Sequence, residues 1–156
     1  MSRWRGVPVV VLVVGLGASA LALEPFTVES SSMSPTLDAG DQVVAEKLVS
    51  GWLSLDRGDV VVLRPPASPA LMVKRVVALP GDQVGLEDGR LVVNGRPVTE
   101  PYVDHATVDG VYFGPLVVAP GTVFVLGDAR ADSVDSRVFG VVPVDRVVGR
   151  VVLRLG

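Results

Sequence analysis

Two polar interruptions stand out in an otherwise valine-rich chain. The stretch Ser30-Ser31-Ser32-Met33-Ser34-Pro35-Thr36-Leu37 gathers hydroxyls closely after a long apolar run, and Lys74 breaks the apolar stretch from Met72 to Val77. A serine hydroxyl becomes a nucleophile only when a base takes its proton. The chain has no cysteine and a single histidine, His105, so candidate bases are few. A lysine kept neutral by apolar surroundings can do this work, and serine with lysine is a variant of the catalytic triad. The two stretches read together as one site for acyl transfer.

Both features also have plainer readings. Serines ahead of a proline commonly make a turn, and a lone lysine in a strand commonly guards a sheet edge. If Met72 to Val77 is extended, however, Met72, Lys74 and Val76 face one way and Arg75 the other, so Lys74 has apolar neighbours on its own face. Acting as a base near neutrality requires burial to lower its pKa from about 10.4 by roughly two to three units, or ~3–4 kcal/mol. His105, in a Val-Asp-His-Ala context, reads as a surface residue. No cluster of His, Asp and Glu has metal-ligand spacing, so neither a metal nor an organic cofactor is expected.

The elements that must hold these residues are strands. Of the 156 residues 49% are hydrophobic but only 5% aromatic, and the excess is mostly valine, whose branched Cβ suits a sheet. Apolar runs over 42–48, 59–63, 71–78, 83–87, 122–126 and 146–153 read as strands separated by glycine, proline and aspartate. Asp88-Gly89 and Asn94-Gly95 carry tight-hairpin chemistry and predict a small meander from Val84 to Val98. Residues 99–115 read as a short, exposed, loop-like insert. A net charge of −3 provides no basic field for nucleic acid.

Residues 1–6 form a basic head with Arg3 and Arg5, and residues 7–23 an uncharged apolar run. As a helix the run spans roughly 25 Å at ~1.5 Å per residue, slightly short of the ~30 Å hydrocarbon core. It reads as a single membrane anchor with a cytoplasmic N-terminus, leaving 24–156 as one extracytoplasmic domain. Ala20-Leu21-Ala22 also fits the small-x-small pattern of a cleaved signal.

Four blocks of the chain resemble the type I signal peptidases, membrane-anchored serine proteases that remove signal peptides. They are SSSMSPTL at 30–37, RGDVVVL at 57–63, VKRVVALPGD at 73–82 and GDARADSVDSRVFG at 127–140, in family order. The resemblance implies an all-β, signal-peptidase-like fold of several short antiparallel strands after one N-terminal transmembrane helix. It implies Ser32 as nucleophile, Lys74 as general base, and Ser30 Oγ with the backbone N–H of Ser32 as the oxyanion hole. Ser133 matches the serine that orients the lysine, and Asp135 and Arg137 match a supporting charged pair. The fourth block departs from the family's usual Gly-Asp-Asn-Arg, with Ala129 in place of the asparagine.

The implied partners are exported preproteins and the lipid bilayer; the oligomeric state is not legible. Two rival readings are a dedicated maturation peptidase of the same superfamily, acting on one exported or metalloenzyme precursor, and a non-catalytic, membrane-tethered peptide-binding β-domain. The segment 79–82 with its meander favours the general enzyme. The presence of both dyad residues disfavours the binding domain.

Overall fold

A computed structural model describes residues 22–47 and 54–155. The strands are β1 (Leu23–Thr27), β2 (Gln42–Lys47), β3 (Val60–Leu63), β4 (Met72–Ala78), β5 (Gln83–Glu87), β6 (Arg90–Val93), β7 (Arg96–Pro97), β8 (Phe113–Val117), β9 (Thr122–Leu126), β10 (Val142–Pro143) and β11 (Val147–Arg154). They form a seven-stranded sheet in the order β1-β2-β11-β3-β4-β9-β10 and a four-stranded sheet in the order β7-β6-β5-β8. Every pairing is antiparallel. Among the described residues the only α-helix is the single turn α1 (Ser136–Phe139).

All four sheet edges carry a proline: Pro25 in β1, Pro143 in β10, Pro97 in β7 and Pro115 in β8. A proline cannot donate to a ladder, so it is tolerated where no neighbour asks for its N–H, and it blunts an edge against further pairing. In the meander, Asp88 and Gly89 have φ of 52° and 71°, and Asn94 and Gly95 have 53° and 73°. Both pairs occupy the left-handed region, as a two-residue hairpin turn of the primed type requires.

The core has three apolar clusters. One joins the two sheets through Val84, Leu86 and Leu91 on the smaller and Val77, Phe124 and Leu126 on the larger. A second gathers Val28, Met33, Leu37, Val43 and Val73 beneath the serine-rich turn. The third contains Val61, Val76 and Val125, with Met72 packed against it. Val73 and its neighbours Met72 and Val76 thus belong to different clusters, as alternation along β4 requires.

One expectation lies outside the described residues and one needs correction. Of the apolar run 7–23 only Ala22 and Leu23 are described, and Leu23 opens β1 and pairs with Glu46; no helix among the described residues is long and apolar enough to cross a membrane. The stretch Glu100 to Gly114 is not simply an exposed loop. Glu100, Val103 and Val108 are buried, residues His105–Thr107 form a 3-10 turn capped by Asp104, and Phe113 and Gly114 belong to β8.

Candidate active site

The connection between β1 and β2 carries the serines. Met33 and Leu37 are buried and pin this connection to the core, while the Ser34 N–H donates to the Ser31 carbonyl at 2.9 Å and the Leu37 N–H to the Met33 carbonyl at 3.0 Å. The Ser34 hydroxyl donates to Asp38 Oδ1 at 2.5 Å. Short polar side chains bonding locally in this way are what divert the backbone from the sheet. Buried apolar residues immediately after Ser32 leave its hydroxyl directed at β4.

Lys74 lies at the middle of β4, with Val61 of β3 directly opposite it and fully buried. The lysine is 2% exposed. Its Nζ is hydrogen-bonded to Ser32 Oγ at 2.5 Å, across 42 residues of chain. Burial lowers the lysine pKa, and the positive charge of Arg137 pushes the same way, against Asp135 and Asp128. Desolvation favouring the neutral amine is the condition a lysine base needs.

Ser30 Oγ stands 3.2 Å from Ser32 Oγ. Among the described residues no acceptor meets the backbone N–H of Ser32. A hydroxyl and a free N–H beside a nucleophile are the donor set that an oxyanion requires.

The loop after β9 closes the site from the other side. The Ala129 N–H donates to the Ser32 carbonyl at 3.1 Å. Gly127 sits so close that a Cβ there would lie 2.5 Å from the Ser32 carbonyl oxygen and 2.2 Å from Ser133 Oγ. Asp135 is fully buried: its Oδ2 accepts the Gly127 N–H at 3.1 Å, and its two oxygens take Arg137 Nε and Nη2 at 2.8 Å each. Arg137 Nη2 also donates to the Arg130 carbonyl at 2.7 Å. The Asp135/Arg137 pair is therefore internal bracing of the loop, not a surface ion pair.

Ser133 is placed differently from expectation. Its Oγ is buried without a hydrogen-bond partner, and no hydrogen bond joins it to Lys74. The hydroxyl is turned toward Gly127 instead. His105 belongs to the 3-10 turn of the insert, its Nδ1 is buried without a hydrogen-bond partner, and no hydrogen bond joins it to Ser32 or Lys74.

A groove of about 490 Å³ opens beside Ser32. One wall is the end of β1 and the following residues, Pro25 to Ser30, and the other is Leu71, Met72 and Val73 of the β4 strand and its approach, with Val62 also lining it. Both walls are mainly extended, the geometry that an added peptide strand pairs with.

The family model described as "Signal peptidase, peptidase S26" matches residues 1–155. The chain belongs to this family. Its activity is that of signal peptidase I, a serine endopeptidase. Similar proteins include signal peptidase I T of Bacillus subtilis, 37% identical with 94% of this chain and 81% of that one covered, and a signal peptidase I of Leptolyngbya laminosa, 34% identical with 92% and 73% covered. The crystal structure of a signal peptidase I from Enterococcus faecalis matches with a TM-score of 0.59 at 29% identity, covering 65% of this chain and all of that one. The signal peptidase family is membrane-associated.

Within this signal peptidase, six further residues brace the site. Thr36 Oγ1 donates to Asp128 Oδ2 at 2.5 Å, and Arg75 holds the same carboxylate in a fork, Nε to Oδ1 at 2.9 Å and Nη2 to Oδ2 at 2.7 Å. From the insert, the Tyr102 ring lies 3.9 Å from Arg75 Cζ, and Glu100 forks onto Arg130. Thr36 and Asp128 sit inside the quoted blocks and were legible there. Nothing local marks Glu100 or Tyr102.

Proposed function

We propose that the chain removes signal peptides from exported preproteins with Ser32 as nucleophile and Lys74 as general base. Ser32 Oγ attacks the scissile carbonyl carbon while neutral Lys74 takes its proton. Ser30 Oγ and the Ser32 N–H receive the oxyanion as it forms. When the tetrahedral intermediate collapses, the Lys74 ammonium gives its proton to the departing amine and the acyl chain stays on Ser32. Water, deprotonated by Lys74, then releases the acyl chain and restores the serine. Asp135 and Arg137 serve by holding the loop that abuts the Ser32 carbonyl.

The single observation that carries this reading is the 2.5 Å bond between Lys74 Nζ and Ser32 Oγ at a lysine shielded from water. Extended substrate lies in the groove between residues 25–30 and 71–73, whose shallow pockets admit small side chains before the cleaved bond. The uncharged run 7–23, behind Arg3 and Arg5, supports a single-pass anchor with the N-terminus cytoplasmic and the catalytic domain outside. The test is incubation of the detergent-solubilised full chain with a panel of preproteins, the cleavage sites being read by mass spectrometry. Cleavage of many after small residues is expected, and none by Ser32→Ala; cleavage of one precursor alone would make it a dedicated maturation enzyme.

A further inference from the structure

The insert reaches the active site through two buried arginines. Glu100 is 3% exposed, and its carboxylate takes Arg130 Nη1 at 2.8 Å and Nη2 at 2.5 Å. Arg130 Nε donates to the Gly127 carbonyl at 2.9 Å. Asp135 holds the N–H of the same glycine, so Gly127 is gripped at both its backbone polar groups while its Cα rests against the Ser32 carbonyl and the Ser133 hydroxyl. Two residues from Glu100, the Tyr102 ring covers Arg75, and Arg75 runs through Asp128 to Thr36, four residues after the nucleophile. The Tyr102 hydroxyl closes the arrangement, 3.3 Å from Glu100 Oε1.

A fully buried ion pair is a poor source of net stability, because desolvating both charges offsets most of their attraction; an apolar pair of similar volume often does as well. What the pair does provide is a fixed, bidentate geometry. Here that geometry ends on the backbone of the residue against the nucleophile. Burial, with the nearby Glu100 carboxylate, pushes the Tyr102 phenol up to about 12, so its ring stays neutral and suited to a cation held against its face.

We propose that Glu100 and Tyr102 are positioning residues: they act through Arg130 and Arg75 to set the two sides of the Ser32 turn, and so the alignment of Ser32 with Lys74. The insert is then part of the catalytic apparatus and not a spacer. The inference rests on the Ser32/Lys74 reading above. A misplacement of order 1 Å at the reacting atoms can cost about 10²-fold in rate with little effect on substrate affinity.

The experiment measures kcat and KM separately on one preprotein, using the full chain in detergent, with thermal melts to fix a temperature at which every variant is folded. Glu100→Gln keeps the volume and loses the fork, and should lower kcat by about 10²-fold while KM stays within about twofold. Tyr102→Ala should lower kcat in the same sense, whereas Tyr102→Phe, which keeps the ring over Arg75, should retain nearly all of it. If Glu100→Gln fails to fold, the Tyr102 pair decides alone. Folded Tyr102→Ala with unchanged kcat, or equal losses in Tyr102→Ala and Tyr102→Phe, would overturn the proposal. Ser32→Ala run alongside separates the two readings: if it is inactive while Glu100→Gln and Tyr102→Ala turn over normally, the positioning role fails and the dyad stands. Activity in Ser32→Ala would overturn both.

Discussion

Lys74 Nζ and Ser32 Oγ are hydrogen-bonded at 2.5 Å, although the lysine is on an inner strand of the large sheet and the serine on a turn beyond its far edge pair. The contact makes the two side chains one unit. Ser32→Ala and Lys74→Ala should each abolish preprotein cleavage, and the double variant should be no worse than either, because a nucleophile without its base and a base without its nucleophile are equally idle. Turnover by a folded single variant near the wild-type rate would sink the pairing. His105→Ala should leave the rate nearly unchanged.

The pH dependence follows from the direction of the Lys74 shift. Only the neutral amine accepts the Ser32 proton, so kcat/KM should rise with pH through the lysine pKa of the free enzyme, below the ~10.4 of a free lysine. Stability should move the same way. Between the lowered folded pKa and ~10.4 the unfolded chain binds the extra proton, so wild-type stability rises with pH across that window, and below it the full cost of burying the ammonium remains. Lys74→Met should remove this pH dependence of stability and leave no measurable rate at any pH. Denaturant melts of both proteins and initial rates of the wild type across the same buffers would show whether the two curves move as expected.

Gly127→Ala should be severely impaired although it adds one methyl group. Its Cβ would stand 2.5 Å from the Ser32 carbonyl oxygen and 2.2 Å from Ser133 Oγ, and backbone cannot give way there without moving the nucleophile. A loss of about 10²-fold or more in kcat is expected. Gly121→Ala, where a Cβ would meet nothing within 4 Å, should leave the active-site alignment intact and affect only the turn, whose φ of 72° strains any side chain.

Acid stability should depend on Asp82. The Arg57 fork holds its carboxyl down to about 2, helped by the Leu79 N–H and the Asn94 amide against the opposing effect of burial. A carboxylate with a depressed pKa contributes above its unfolded value of ~3.9 and loses that contribution as pH falls toward the folded one. Asp82→Asn should therefore be less stable than wild type at neutral pH by on the order of 1–2 kcal/mol, allowing for solvent around half-exposed Arg57. The two melts should converge near pH ~2.

Protease added to cells with an opened envelope should degrade the domain that follows residue 23 while sparing the basic head. A mature soluble form beginning near Glu24 would show instead that Ala20-Leu21-Ala22 had been cut.

The central strands were legible because their valines alternate or run together between glycines and prolines: β2, β3, β4, β5, β9 and β11 fall within a residue or two of the ranges read from sequence. The strands that escaped were β1, β8 and β10, and each contains a proline. A proline reads as a breaker in a linear scan, whereas at an edge it is harmless, and which strand is an edge depends on pairings that local sequence does not contain. The same limit explains the site. Ser32 and Lys74 sit in marked segments, but Glu100 pairs with Arg130 across 30 residues, and nothing in Thr-Glu-Pro-Tyr announces a buried fork. The Ser133 hydroxyl shows the converse: a motif carries a residue to Gly127, beside the Ser32 carbonyl, without fixing its bond.

In the large sheet β11 lies between β2 and β3, pairing Val151 with Ala45 on one side and Arg150 with Val61 on the other. Within that sheet the serine-bearing hairpin β1–β2 and the lysine-bearing hairpin β3–β4 are thus neighbours only by way of β11, the last of the described strands. Pairings of such long range in sequence are the slowest to form. The placement of Ser32 against Lys74 across the large sheet therefore depends on β11, the strand that joins their two hairpins.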